Sequence, residues 1–239
     1  MGHNNPMYSP SPSGYSGAQL TGLAEDQLQP LPDSSLRCHG AVVQPWARLV
    51  AAAARAGIEL AAVSAYRSFA AQQALWNAKW SGERPVLDRA GRVLSLAPLS
   101  PAARMEAILV WSALPGASRH HWGTEFDVID RAALPAGYRV QLVPAEYQPG
   151  GVFARLGAWL AQEMPGHGFH RPYQQDLGGV APEPWHLSCT AVSREASRRF
   201  RLTQLRAAIA ASEMAGKEAV LADLPALYER FVRRVAPAR

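Results

Sequence analysis

Apolar side chains fall at Val42, Val43, Trp46, Leu49, Val50 and Ala53, three and four positions apart as one face of a helix requires. The spacing predicts a helix over residues 41–57, stopped by Gly57. Residues 58–64 run apolar and partly β-branched, the pattern of a short buried strand. Helical character returns over residues 69–80, with Leu75, Trp76 and Lys79 in its body. No period survives in residues 81–100, where Gly, Pro, Asp and Arg accumulate; a loop of that length often contributes to a site. Ser100-Pro101 has the form of an N-cap followed by proline at the first helical position. The helix it opens is expected to reach about Leu114, before Pro115-Gly116.

Further along, residues 126–129 read as a strand, 139–143 as another of poorer pattern, 151–164 as a helix and 185–189 as a further strand. From residue 193 two helices are expected, broken near Gly216. Residues 1–19 have the composition of a flexible tail, and 20–38, containing Pro and Ser, are expected to wrap the surface. The chain thus divides into a tail (1–19), a main domain (20–192) and a helical extension (193–239) packed on the same domain. Helices and short strands mix without regular alternation, which favours an α+β fold over a doubly wound sheet.

Composition narrows the classes. Of 239 residues, 48% are hydrophobic and 18% charged, ample for a core and unlike a disordered chain. No apolar run has the length of a membrane span, and the Ala-rich stretch 49–63 is cut by Arg55, Gly57 and Glu59. The formal net charge of +5 is too small to argue for nucleic acid, and no nucleic-acid motif accompanies it. Arg194, Arg198, Arg199, Arg201 and Arg206 read as a solvated face. Cys38 and Cys189 are too few for a disulfide framework; free buried thiols are expected, with a single bridge between them as the alternative. The start carries no secretory signal pattern, so a cytoplasmic location is expected, with the periplasm as the alternative if a signal has been removed.

Chemistry concentrates in three segments: Ser64-Ala65-Tyr66-Arg67-Ser68, Ser118 through Asp127, and Glu183-Pro184-Trp185-His186. His120, Asp127 and His186 would supply two imidazoles and a carboxylate, a set that suits zinc and leaves a fourth position open. Glu183, three residues before His186, could take a proton from water that zinc has acidified. Arg67 offers a planar fork of donors for a carboxylate or an oxyanion. Other readings stand beside these: His121 in place of His120, His167 with His170 as a metal pair, Glu183 shaping a turn, Trp185 filling the core, and Arg67 pairing with a surface carboxylate.

Taken in order, SxYRS, SxHxxGxxxD and EPWH resemble the motifs of the zinc D-alanyl-D-alanine carboxypeptidase and dipeptidase family, the VanY-type and VanX-type peptidases, similar in fold to the Hedgehog signalling domain. The resemblance spans about residues 49–189. It implies a small antiparallel sheet packed with helices, and one Zn²⁺ per chain held by His120, Asp127 and His186. It further implies Glu183 as general base, Arg67 as the arginine at the substrate carbonyl or carboxylate, and Ser118, Gln72, Tyr66 and Trp185 on the substrate side. Two positions depart from the family, Glu125 where a small residue is common and Leu187 where an aromatic is common; both bear on pocket shape. The implied substrates are peptidoglycan stem peptides, losing a C-terminal D-alanine from a tetrapeptide (an L,D bond) or next from a pentapeptide (a D,D bond). The alternatives are an L-alanyl-D-glutamate endopeptidase and a zinc-bearing binding module that does not hydrolyse.

Overall fold

The computed structural model describes residues 14–32 and 34–237. Its helices are α1 (Gly17–Leu20), α2 (Val43–Arg55), α3 (Phe69–Ser81), α4 (Pro101–Leu109), α5 (Pro144–Tyr147), α6 (Ala154–Glu163), α7 (Thr190–Arg199), α8 (Leu202–Ala210) and α9 (Lys217–Leu227). Its strands are β1 (Leu28–Pro30), β2 (Arg37–His39), β3 (Leu60–Ser64), β4 (Glu125–Asp130), β5 (Phe169–His170) and β6 (His186–Cys189). β1 and β2 form an antiparallel pair, and the other four make an antiparallel sheet in the order β3-β4-β6-β5. This is the α+β class.

The alternation of β4 and β6 decides what the sheet can do. Phe126 and Val128 on β4, with Leu187 and Cys189 on β6, face an apolar cluster completed by Trp46 and Leu49 of α2 and by Phe153, Leu156 and Phe169. Trp46 stacks on Phe126 with ring centroids 4.3 Å apart. The intervening residues, Glu125 and Asp127 against Ser188 and His186, share the opposite face because successive strand side chains alternate. A second apolar cluster joins Leu20, Trp76, Trp122 and α4 to the C-terminal helices through Phe200, Leu205, Val220 and Leu224.

Several expectations need correction. Residues 1–13 of the expected tail lie outside the described residues, but residues 14–19 are tied down: the Tyr15 hydroxyl donates to Trp122 O at 3.0 Å, and Ser16 Oγ accepts from Gln19 N at 3.1 Å, capping α1. Residues 20–38 bury Leu20, Leu28, Leu31 and Cys38 rather than only wrapping the surface. α4 ends at Leu109 instead of near Leu114, and Ala113 O then accepts from the Gln72 side chain at 2.8 Å. Residues 139–143 form no strand, because the Gln141 and Val143 amides donate to the Glu146 carboxylate at 3.0 and 3.2 Å and Leu142 turns to φ +53°. Among the described residues the C-terminal region holds three α-helices, not two, since buried Phe200 adopts an extended backbone between α7 and α8.

Arg198 and Arg199 are exposed and pair with Glu195. Cys38 and Cys189 are free and buried, and burial pushes their thiols up to about 12 and about 11. Among the described residues no helix is long and apolar enough to cross a membrane.

Candidate active site

Register brings the first two candidate ligands together: Asp127 on β4 lies directly opposite His186 on β6. The third arrives on the turn Arg119–Trp122 that leads into β4. His120, Asp127 and His186 are all buried, and each offers a ligand atom within 4.8 Å of the others. His120 Nδ1 donates to Ala65 O at 2.6 Å, which leaves Nε2 facing Asp127 Oδ2 at 3.4 Å. His186 is fixed the other way round. Its Nε2 lies 2.9 Å from Glu125 Oε2, so Nδ1 faces Asp127 Oδ1 at 3.4 Å and Glu183 Oε2 at 3.2 Å.

The cluster fits a metal ion. Asp127 Oδ1 is buried with no hydrogen-bond partner, and an orphaned buried carboxylate oxygen is costly unless a cation meets it. Burial alone would raise the Asp127 carboxyl, but His120 and His186 beside it hold it well below the usual carboxylate range. Burial likewise works against charge on His186, and the carboxylates of Asp127, Glu125 and Glu183 outweigh it, raising its pKa well above the ordinary value. Two imidazole nitrogens and a carboxylate oxygen are a zinc donor set, with each histidine's second nitrogen held by an outer partner.

The competing histidines are otherwise engaged. His121 is fully buried, accepting from Gly116 N at 3.1 Å and donating Nδ1–H to Arg67 O at 2.6 Å; burial pushes it down to about 3. His170 contacts Thr190 Oγ1 at 3.0 Å.

Arg67 reaches the same site from the loop between β3 and α3. Its amide donates to His120 O at 3.2 Å, and its guanidinium donates to Gln72 Oε1 at 2.9 Å and Ser64 Oγ at 3.2 Å. Gln72 is wholly buried with its amide spent on Arg67 and Ala113 O, so it braces the arginine instead of facing a ligand. Tyr66 turns away: its hydroxyl donates to Gly22 O at 3.3 Å and it does not line the cavity. Ser118, Trp185 and Glu183 do line it; the Trp185 ring stacks on Trp111 at 6.3 Å.

The cavity measures about 750 Å³, within the range of small-ligand sites. Residues 84, 85, 87 and 89–91 line one part of it and 141–145 another, with Tyr173 edge-on to His186 at 5.1 Å. Both family departures lie off this surface. Leu187 is in the core, and Glu125 sits behind His186, accepting from Thr124, Ser188 and Arg119 at 2.9, 2.8 and 3.1 Å. Pocket shape therefore does not turn on either. The roles of Glu125, Arg119 and Tyr173 escaped motif reading; only the alternation of β4 placed Glu125 on the face of Asp127.

A small antiparallel sheet presenting a buried His/Asp/His cluster, a carboxylate and an arginine at one cavity is an arrangement suited to a metal-dependent hydrolase. The D-alanyl-D-alanine carboxypeptidase family VanY matches residues 35–192. The chain belongs to this family of D-alanyl-D-alanine carboxypeptidases. It is 35% identical over 121 residues to an uncharacterized protein of Haemophilus influenzae, covering 50% of this chain and 92% of that one. Its fold is similar to that of VanYB in complex with D-Alanine-D-Alanine (TM-score 0.51, 22% identity, 73% of this chain and 82% of that one). A similar likeness holds to the LdcB LD-carboxypeptidase (TM-score 0.51, 20% identity, 79% and 80%).

Proposed function

We propose that the chain is a zinc-dependent carboxypeptidase that removes the C-terminal D-alanine from peptidoglycan stem peptides. The observation that carries this reading is the Asp127 carboxylate between two oriented histidines, its Oδ1 without a hydrogen-bond partner, with the Glu183 carboxylate on the same His186 nitrogen. One zinc ion would be held by His120, Asp127 and His186. When bound, it supplies Lewis acidity and lowers the pKa of water at the site.

Glu183 takes the proton of the attacking water and returns it to the amine of the departing D-alanine, so the peptide C–N bond breaks with no net proton change on the carboxylate. Arg67, held by Gln72 and Ser64, donates to the developing oxyanion or to the terminal carboxylate. Ser118 and Trp185 contribute to the wall against which the stem lies.

The L,D bond of a tetrapeptide is assigned first and the D,D bond of a pentapeptide second. A tetrapeptide returned by wall turnover is met in the cytoplasm, a pentapeptide on the exported side, so the bond also bears on compartment. Mass spectrometry of tri-, tetra- and pentapeptide muropeptides, incubated with and without chelator, tests the reading. The expected result is chelator-sensitive loss of one alanine from the tetrapeptide. Release of intact L-alanine would assign an L-alanyl-D-glutamate endopeptidase instead. Survival of every stem by the zinc-loaded protein would favour a binding module.

A further inference from the structure

The wall of the cavity carries more positive charge than cleavage of one terminal residue requires. Arg67, Lys79, Arg84, Arg89 and Arg119 line it, against the carboxylates of Asp127 and Glu183. Two of these cations are already matched: Arg119 pairs with Glu125 at 3.1 Å and Arg89 with Asp176 at 2.8 Å. Arg67 is held by neutral partners and faces Asp127 and Glu183. That leaves Lys79 and Arg84, neither of which forms an ion pair with a carboxylate among the described residues. The Lys79 ammonium has one hydrogen bond, to Trp111 O at 3.5 Å, at the long limit for such a contact.

We propose that Lys79 and Arg84 form a carboxylate-binding subsite in the cavity wall, so that the preferred peptide carries a second free carboxylate upstream of the bond that is cut. This rests on the hydrolase reading above and names the substrate class within it. Placement supports it. Gln72, Leu75 and Lys79 are spaced three and four apart on α3, hence on one face. Gln72 holds Arg67, Leu75 lines the cavity, and Lys79 follows about a helical turn beyond Leu75. Arg84 is fixed close by, its amide donating to Ala78 O at 2.9 Å just after the end of α3.

The cations therefore extend from the cleavage position outwards along the cavity, as a peptide with successive carboxylates would. Burial, together with Arg67 and Arg84, lowers Lys79 to about 8, with Glu183 opposing. A cation in that condition gains from an anion delivered by the substrate, as a charge-assisted hydrogen bond. A carboxamide of the same shape offers no charge. Lys79 and Arg84 also suit the negative end of the α3 dipole; that role alone would affect stability and leave the choice between substrates unchanged.

The test is a pair of synthetic peptides with the same C-terminal D-alanine, one bearing a free side-chain carboxylate on the residue before it and the other the corresponding carboxamide. The zinc-loaded wild type is expected to favour the carboxylate in kcat/KM by roughly tenfold or more. Lys79→Met should bring the ratio towards one, and Lys79→Arg should retain it. A wild-type ratio near one, or an unchanged ratio in Lys79→Met, overturns the subsite. If Lys79→Met fails to fold, Arg84→Gln at the exposed position is read the same way. If neither peptide is cleaved, the hydrolase reading fails, and the subsite is judged by calorimetric Kd for the same pair, where equal affinities reject it.

Discussion

At the scale of the residue, His186 is addressed from both sides, and the two sides predict different losses. Glu183 lies at Nδ1 and Glu125 at Nε2, 3.2 and 2.9 Å away. Glu183→Gln is expected to keep the metal and lose about 10²–10⁴ in kcat, the usual contribution of a general base. Glu125→Gln preserves shape but removes the charge that orients the imidazole. Metal affinity should then weaken by about 10–100-fold, as outer partners of metal ligands commonly do. Chelator competition read beside turnover separates the two. Unaltered metal affinity in Glu125→Gln would reduce Glu125 to a packing residue, and wild-type turnover in metal-loaded Glu183→Gln would remove the base. That His120, Asp127, His186 and Arg67 would come together was legible because their motifs fix type and spacing. In the motifs Glu125 stood out as a departure from family pattern, and its two-residue spacing from Asp127 puts it on the same strand face, but a linear motif does not say what stands behind a ligand's second nitrogen. Gln72 and Tyr66 were placed on the substrate side for the same reason: sequence gives their proximity to Arg67 but not the direction of their side chains.

At the scale of the element, the turn from His120 into β4 depends on Gly123. It adopts φ +70°, and a Cβ there would lie 2.7 Å from both His39 N and Leu28 Cδ2. Gly82 at the end of α3 has φ +85° with nothing within 4 Å of an added Cβ. Gly82→Ala should therefore show the left-handed penalty alone, about 1–2 kcal/mol. Gly123→Ala should cost more and, by shifting His120 away from Asp127, weaken metal binding as well. Thermal denaturation and chelator competition on both variants check this; equal losses in the two would deny the close approach. Alternation in β4 and β6 and the apolar face of α2 were readable because tertiary packing follows the same periods. Residues 139–143 misled because their amides go to Glu146, a side-chain choice that no backbone period records. The break at Phe200 misled because a buried aromatic extends the apolar pattern of the helices on either side.

At the scale of the whole molecule, the site joins two apolar clusters: β4 and β6 rest on the first, while Trp122, two residues after His120, belongs to the second. Protonation and metal binding should therefore register in global stability, and the histidines set the sign. His39 is held below its ordinary value by burial, and burial lowers His121 to about 3 and His170 to about 4. As pH falls below about 6.5, the unfolded chain takes up protons at these positions that the folded chain refuses, so stability declines. His186 is shifted the other way. Its stabilising contribution is complete below about 6.5 and is lost as pH rises through its folded pKa. With chelator present, stability should accordingly peak near pH 6.5 and fall on both sides, by at most about 1.4 kcal/mol per pH unit for each unmatched proton, until about pH 8, where the lowered Lys79 begins to oppose the alkaline loss. Zinc requires His186 unprotonated, so the metal replaces the proton among the same three carboxylates and the loss towards alkaline pH should disappear. Denaturant midpoints from pH 5 to 8, with chelator and with zinc, decide the matter. Parallel profiles in the two conditions would mean that proton and metal do not compete at His186, and that the carboxylates around it are not the metal's site.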